Sequence, residues 1–218
     1  MSAPLHWGIV PEELKAKVAM NLANRVIADQ KHLDVGLLGT KTILNALSAN
    51  GYADLAFEVA SQRTFPSWGW WMVNGATTLY ENWPIDSKSD ISLNHIMFGE
   101  IGAWLYKSPG GIYPDELQPG FKNVILKPDF VKVLNSFEAT HVGPYGKIVS
   151  SWKRNGSKIA YQVSIPANST ATLSIQASQL LEGGNPVAQN KGVELVKSEN
   201  KLMVVNLKSG SYSFLIKP

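Results

Sequence analysis

Pro109-Gly110-Gly111 marks the point where this 218-residue sequence changes its hydrophobic period. Upstream, apolar residues recur every three or four positions, the spacing of amphipathic helices. Downstream, short runs alternate and are separated by turn residues, the pattern of strands. Helices first and strands second predict an α+β chain of two domains, with residues 1–117 helical and residues 118–218 an antiparallel β-sandwich.

The helical half can be read element by element. Pro11-Glu12-Glu13 suits a helix start, and Leu14, Val18, Leu22 and Val26 then form a stripe. Thr40 is placed to cap a second helix carrying Ile43, Leu44 and Leu47, which stops at Asn50-Gly51. A third is predicted from Tyr52 to about Gln62, with Leu55, Ala56 and Val59 on one face. A fourth is predicted from Leu93 to Tyr106. Between the third and fourth lies an aromatic, glycine-rich connection, the kind of segment that carries function on a helical scaffold.

In the second half, strand-like runs include 124–126, 132–134, 147–149, 158–163, 171–175, 201–205 and 212–216. Turns are expected at Gly143-Pro144-Tyr145-Gly146, Asn155-Gly156, Gly183-Gly184-Asn185-Pro186 and Ser209-Gly210. Asn155-Gly156, between Trp152 and Tyr161, is the strongest hairpin signal.

Composition narrows the function classes. The chain has no cysteine, which excludes disulfides and thiolate metal sites. It has no apolar run of about 18 residues, so no membrane helix is expected. The opening residues show neither a basic start nor an apolar core, so no signal peptide is expected in this chain, and the compartment stays open. Residues 1–117 carry 8 Lys+Arg against 12 Asp+Glu, and residues 118–218 carry 12 against 5. The basic half is nearly all lysine, scattered singly among strand residues. This reads as a solvated face and as edge protection rather than a nucleic-acid surface. His6, His32, His95 and His141 show no metal-ligand spacing with acids, and no phosphate loop, dinucleotide fingerprint or nucleophile elbow occurs, so no metal or cofactor is expected.

The chemistry concentrates in Gly75-Ala76-Thr77-Thr78-Leu79-Tyr80-Glu81-Asn82-Trp83, with Trp68, Trp70 and Trp71 shortly upstream. Indole faces stack on sugar rings, and a carboxylate among them can activate water. The same residues equally suit a core. Glu81 has two readings, a general base or a structural carboxylate held by hydroxyls such as Thr77 or Thr78. Glu100, beside Ile101 and Trp104, reads as a solvated-face acid.

The order and spacing of several segments resemble the bacterial α-L-rhamnosidases of glycoside hydrolase family 78. They are Gly36-Leu37-Leu38-Gly39-Thr40, Tyr52-Ala53-Asp54-Leu55-Ala56, Phe65-Pro66-Ser67-Trp68-Gly69, the Gly75–Trp83 stretch, Ser92-Leu93-Asn94-His95-Ile96-Met97-Phe98-Gly99, Trp104-Leu105-Tyr106 and Pro119-Gly120-Phe121-Lys122. The resemblance implies the closing part of an (α/α)6 barrel followed by a C-terminal β-sandwich. It implies an inverting hydrolase of rhamnose-containing glycosides, with Glu81 as general base and His95 contacting the sugar. Trp68, Trp70, Trp71 and Trp83 are then the stacking candidates. The sequence departs from the family in two places. The connection from Trp83 to Ser92 is short, and the acidic segment that supplies the family's general acid is missing. Inverting hydrolysis needs both carboxyls, about 6.5–9.5 Å apart. The 218-residue chain is therefore expected to be inactive alone, and its unpartnered barrel helices are expected to self-associate. Two rivals stand beside this reading: an (α/α)6 glycosidase of other sugar specificity, and a non-catalytic carbohydrate-binding fragment in which the sandwich is the working module.

Overall fold

A computed structural model describes residues 1–33, 35–85 and 92–217. The chain divides into two compact units, Met1–Leu105 and Tyr106–Pro218. The division falls earlier than the expected 117/118 boundary. Residues 112–114 already belong to the sheets, since β1 (Ile112–Pro114) pairs with β2 (Asn123–Leu126).

The first unit holds helices α1 (Ser2–His6), α2 (Glu12–Ala28), α3 (Leu37–Ala49), α4 (Ala53–Ala60) and α5 (Trp68–Val73). A 3-10 turn, Ile96–Gly99, then leads into α6 (Glu100–Lys107), within which the division between the units falls. In α2 only the later part of the predicted stripe is buried. Leu22 and Val26 join the core, whereas Leu14 is 46% exposed. Gly36, not Thr40, is the N-cap of α3. Thr40 lies inside the helix, buried, with its hydroxyl donating to the Gly36 carbonyl. The aromatic connection contains a helix of its own, α5, because Ser67 accepts the Trp70 amide and so caps the first turn. The predicted fourth helix begins only at Ile96, since His95 caps the 3-10 turn there.

The core of this unit gathers Leu44 and Leu47 of α3, Ala56 and Val59 of α4, and Trp71, Phe98 and Trp104. Burying each large side chain contributes about 1.5–3 kcal/mol. The polar atoms carried inward are paired: Thr42 donates to Ser2 at 2.9 Å, and the Trp104 indole donates to Ser48 at 2.9 Å.

The second unit continues with β3 (Ser136–Gly143), β4 (Gly146–Asn155), β5 (Lys158–Ile165), β6 (Thr170–Gln176), β7 (Gln179–Glu182), β8 (Asn185–Pro186), β9 (Val193–Glu199), β10 (Leu202–Leu207) and β11 (Gly210–Lys217). One sheet runs β1-β2-β6-β10-β9 and the other β3-β4-β5-β11-β7-β8. Among the described residues, all pairings are antiparallel except β2 with β6. The Asn155-Gly156 hairpin forms with Trp152 opposite Tyr161. The run 132–134 is not a strand. Val133 is 68% exposed there, and the Arg154 guanidinium gathers the carbonyls of Phe130, Val131 and Leu134 into a turn.

Alternate residues of both sheets meet in one core that includes Val124, Ile148, Trp152, Tyr161, Leu173, Val205 and Phe214. The stretch where the period changes is gripped by this core. Trp152 donates to the Pro109 carbonyl at 2.8 Å, and Ser150 donates to that of Gly110. Gly111 has φ +70°, and a Cβ there would stand 2.5 Å from the Pro128 nitrogen, so only glycine fits.

Candidate active site

Glu81 sits in the bend that follows Tyr80, and its segment runs beside residues 92–95. The Glu81 amide donates to the Ser92 carbonyl at 2.9 Å, and the His95 amide donates to the Leu79 carbonyl at 2.7 Å. The Thr78 hydroxyl donates to the Leu93 carbonyl. Glu81 Oε2 accepts the Ser92 amide at 2.9 Å. The carboxylate is thus oriented by a backbone amide rather than by the threonine hydroxyls, and one of its oxygens has a fixed partner. These bonds bring the segments of Glu81 and His95 together. The short connection expected between Trp83 and Ser92 lies outside the described residues over 86–91.

His95 is half-buried, and its Nδ1 accepts the Met97 amide at 3.3 Å. An imidazole that accepts through Nδ1 carries its proton on Nε2, so the ring presents an N–H donor. His95 therefore both caps the 3-10 turn and offers a hydrogen-bond donor.

The tryptophans divide. Trp68 and Trp71 are 4% and 1% exposed, and each indole N–H is spent on a carbonyl, Phe98 at 3.0 Å and Trp83 at 2.8 Å. Both rings lie in the core of this unit. Trp83 is half-buried, packs on Trp71 and Phe98 with ring centroids 4.7 and 4.5 Å away, and donates to the Val35 carbonyl at 3.2 Å. Trp70 is half-buried, with its ring edge-on to the half-exposed Phe65 at 5.0 Å. An aromatic cluster thus supports the bend that holds Glu81. Its physical reason is that large rings bury much area and take T-shaped contacts.

Two features escaped the sequence reading. Glu100 is tied to α3 by a 2.9 Å hydrogen bond from Asn45 and is half-buried, not a freely solvated acid. Ser92, whose amide fixes the Glu81 carboxylate, was visible only as part of a longer motif. Among the described residues, no group of three or more His, Cys, Asp or Glu is arranged to hold a metal ion, and no helix is long and apolar enough to cross a membrane.

Two family models match the chain. Residues 1–108 match the bacterial α-L-rhamnosidase six-hairpin glycosidase domain, and residues 111–187 match the bacterial α-L-rhamnosidase C-terminal domain. The chain belongs to the bacterial α-L-rhamnosidase family. An α-L-rhamnosidase of Formosa agariphila is 32% identical over 98% of the chain, and one of Streptomyces avermitilis is 30% identical over 97%. The solved α-L-rhamnosidase of Dictyoglumus thermophilum superposes on the whole chain with a TM-score of 0.86 at 30% identity. That of Streptomyces avermitilis, solved in complex with L-rhamnose, covers 98% of the chain with a TM-score of 0.84 at 29% identity. The chain spans only 24% and 21% of the two curated rhamnosidases, and 25% and 21% of the two solved ones. Within the α-L-rhamnosidase frame, Pro109-Gly110 falls between the two matched domains.

Proposed function

We propose that the chain is the C-terminal part of an inverting α-L-rhamnosidase acting on rhamnose-containing glycosides, with Glu81 as its general base. The observation that carries this reading is the pairing of the Glu81 segment with the His95 segment, within a chain whose two units both match rhamnosidase domains. The Ser92 amide holds Oε2, and Oε1 takes a proton from a water molecule. The water oxygen bonds to the anomeric carbon as the glycosidic C–O bond breaks. The leaving oxygen is protonated by an acid that the 218 residues do not supply. His95 donates from Nε2 to a sugar hydroxyl, and the half-buried Trp70 and Trp83 are the candidates for stacking on the sugar. The chain alone is inactive, and its exposed apolar helix faces make it self-associate.

The test is Glu81→Gln in a complete enzyme, which keeps the shape and removes the basicity. Turnover of 4-nitrophenyl α-L-rhamnoside should fall about 10²–10⁴-fold with little change in KM. NMR of the first-formed sugar in the unsubstituted enzyme should show the β anomer. Near-normal turnover by Glu81→Gln would refute the base assignment, and rhamnoside hydrolysis by the pure 218-residue chain would refute its inactivity.

A further inference from the structure

The outer face of the five-stranded sheet carries a cleft of about 550 Å³, within the size range of small-molecule sites. Its floor is a row of polar side chains crossing four neighbouring strands: Asn123 of β2, Thr170 and Thr172 of β6, Asn206 of β10 and Glu194 of β9. Strand alternation places them there, since their neighbours Val124, Ala171, Val205 and Leu207 point into the core. Register sets Asn123 opposite Thr170, and Asn206 opposite both Thr172 and Glu194.

The row is one hydrogen-bonded relay. Asn123 Nδ2 donates to Asp115 at 2.9 Å and to the Thr172 hydroxyl at 3.3 Å. The Thr170 hydroxyl donates to Asn123 Oδ1 at 2.8 Å. The Thr172 hydroxyl donates to Asn206 Oδ1 at 3.2 Å, and Asn206 Nδ2 donates to Glu194 at 3.2 Å. Both ends finish on carboxylates, which only accept when ionised, so neither amide can flip. Asp115 is held below the usual carboxylate range, first by the Asn123 hydrogen bond and then by the Leu117 amide. It therefore stays an acceptor at neutral pH. After these bonds Asn206 keeps one N–H and one lone pair, and Glu194 keeps its second oxygen.

What such a floor recognises follows from its chemistry. Fixed neutral donors and acceptors recur about every 4.8 Å across the strands, comparable with the width of one pyranose ring. One acid, Glu194, and one base, Lys208, line the cleft, so its charges balance and favour a neutral ligand over a polyanion. None of the lining residues is aromatic, so no ring stacks on the sugar and binding is weak. We propose that this cleft is a saccharide subsite of the sandwich, taking one or two residues of a neutral glycan. The proposal is independent of the role given to Glu81.

The test is NMR on the ¹⁵N-labelled 218-residue chain, titrated with L-rhamnose and with the neutral disaccharide 2-O-α-L-rhamnosyl-D-glucose, with anionic trigalacturonate as control. The side-chain amide signals of Asn123 and Asn206 should shift saturably with the disaccharide, with Kd on the order of millimolar. Binding should weaken about fivefold in Asn206→Ala and in Thr172→Val, and stay unchanged in the double variant Glu81→Gln/His95→Ala. The proposal is overturned by the absence of saturable shifts, by shifts that both sandwich variants retain in full, by an equal response to trigalacturonate, or by loss of the response in the double variant. If the sandwich variants fail to fold, the two amide signals of the unsubstituted chain decide alone.

Discussion

Replacing Ser150 by alanine tests how the sandwich holds the segment at which the period changes. The Ser150 hydroxyl is fully buried and gives its one proton to the Gly110 carbonyl. The Tyr161 hydroxyl, 2.9 Å away, must then be the donor to Ser150 Oγ. Ser150→Ala leaves a buried carbonyl and a buried phenol without partners. Each costs about 1–3 kcal/mol, so the sandwich should lose about 2–6 kcal/mol. Tyr161→Phe removes only one bond and leaves no stranded donor, for about 0.5–1.5 kcal/mol. In the double variant the phenol no longer needs a partner, so its cost should fall short of the sum of the single costs by about 1 kcal/mol or more. The assay is urea unfolding of all four proteins, followed by tryptophan fluorescence and by circular dichroism. Additivity within about 0.5 kcal/mol would refute the shared-bond argument. So would a Ser150→Ala chain as stable as the parent.

Burial pushes the Tyr161 hydroxyl well above its ordinary value near 10. Burial, reinforced by Asp129, raises Tyr113 likewise. A folded value above the unfolded one gives stability that is complete below about pH 10 and lost as pH rises beyond it. Absorbance at 295 nm should therefore show Tyr161 ionising only together with loss of the sandwich's circular dichroism, and a smooth titration of a folded sandwich would count against this. The exposed Leu38, Met72 and Ile96 predict a molar mass that grows with concentration in light scattering, and a clean monomer at about 100 μM would contradict it.

What the sequence disclosed depended on which force set each element. Strands with one buried face, such as β5 and β6, alternate visibly, and their register follows. Strand β9 was missed because it is an edge strand, exposed almost throughout, and Val-Glu-Leu-Val-Lys-Ser-Glu carries little alternation to read. Strand β3 mixes Glu138, Thr140 and His141 into its run for the same reason. Helix α5 was hidden because the run Trp-Gly-Trp-Trp-Met-Val has no polar face to set a period, although Ser67 stood ready as its cap. At the site, the position of Glu81 was legible as a motif. The Ser92 amide that fixes its carboxylate was not, because that contact joins residues 11 positions apart through a fold that no local pattern announces. The division of the tryptophans into buried and half-buried was likewise set by tertiary packing, which composition cannot rank.

Strand β11 lies between β5 and β7, in the middle of its sheet rather than at its rim. A ribosome must therefore deliver residues 210–217 before β5 and β7 can be joined. Until then two hydrogen-bonding edges stay open on a half-built domain, a window in which a chaperone or a neighbouring nascent chain competes for them.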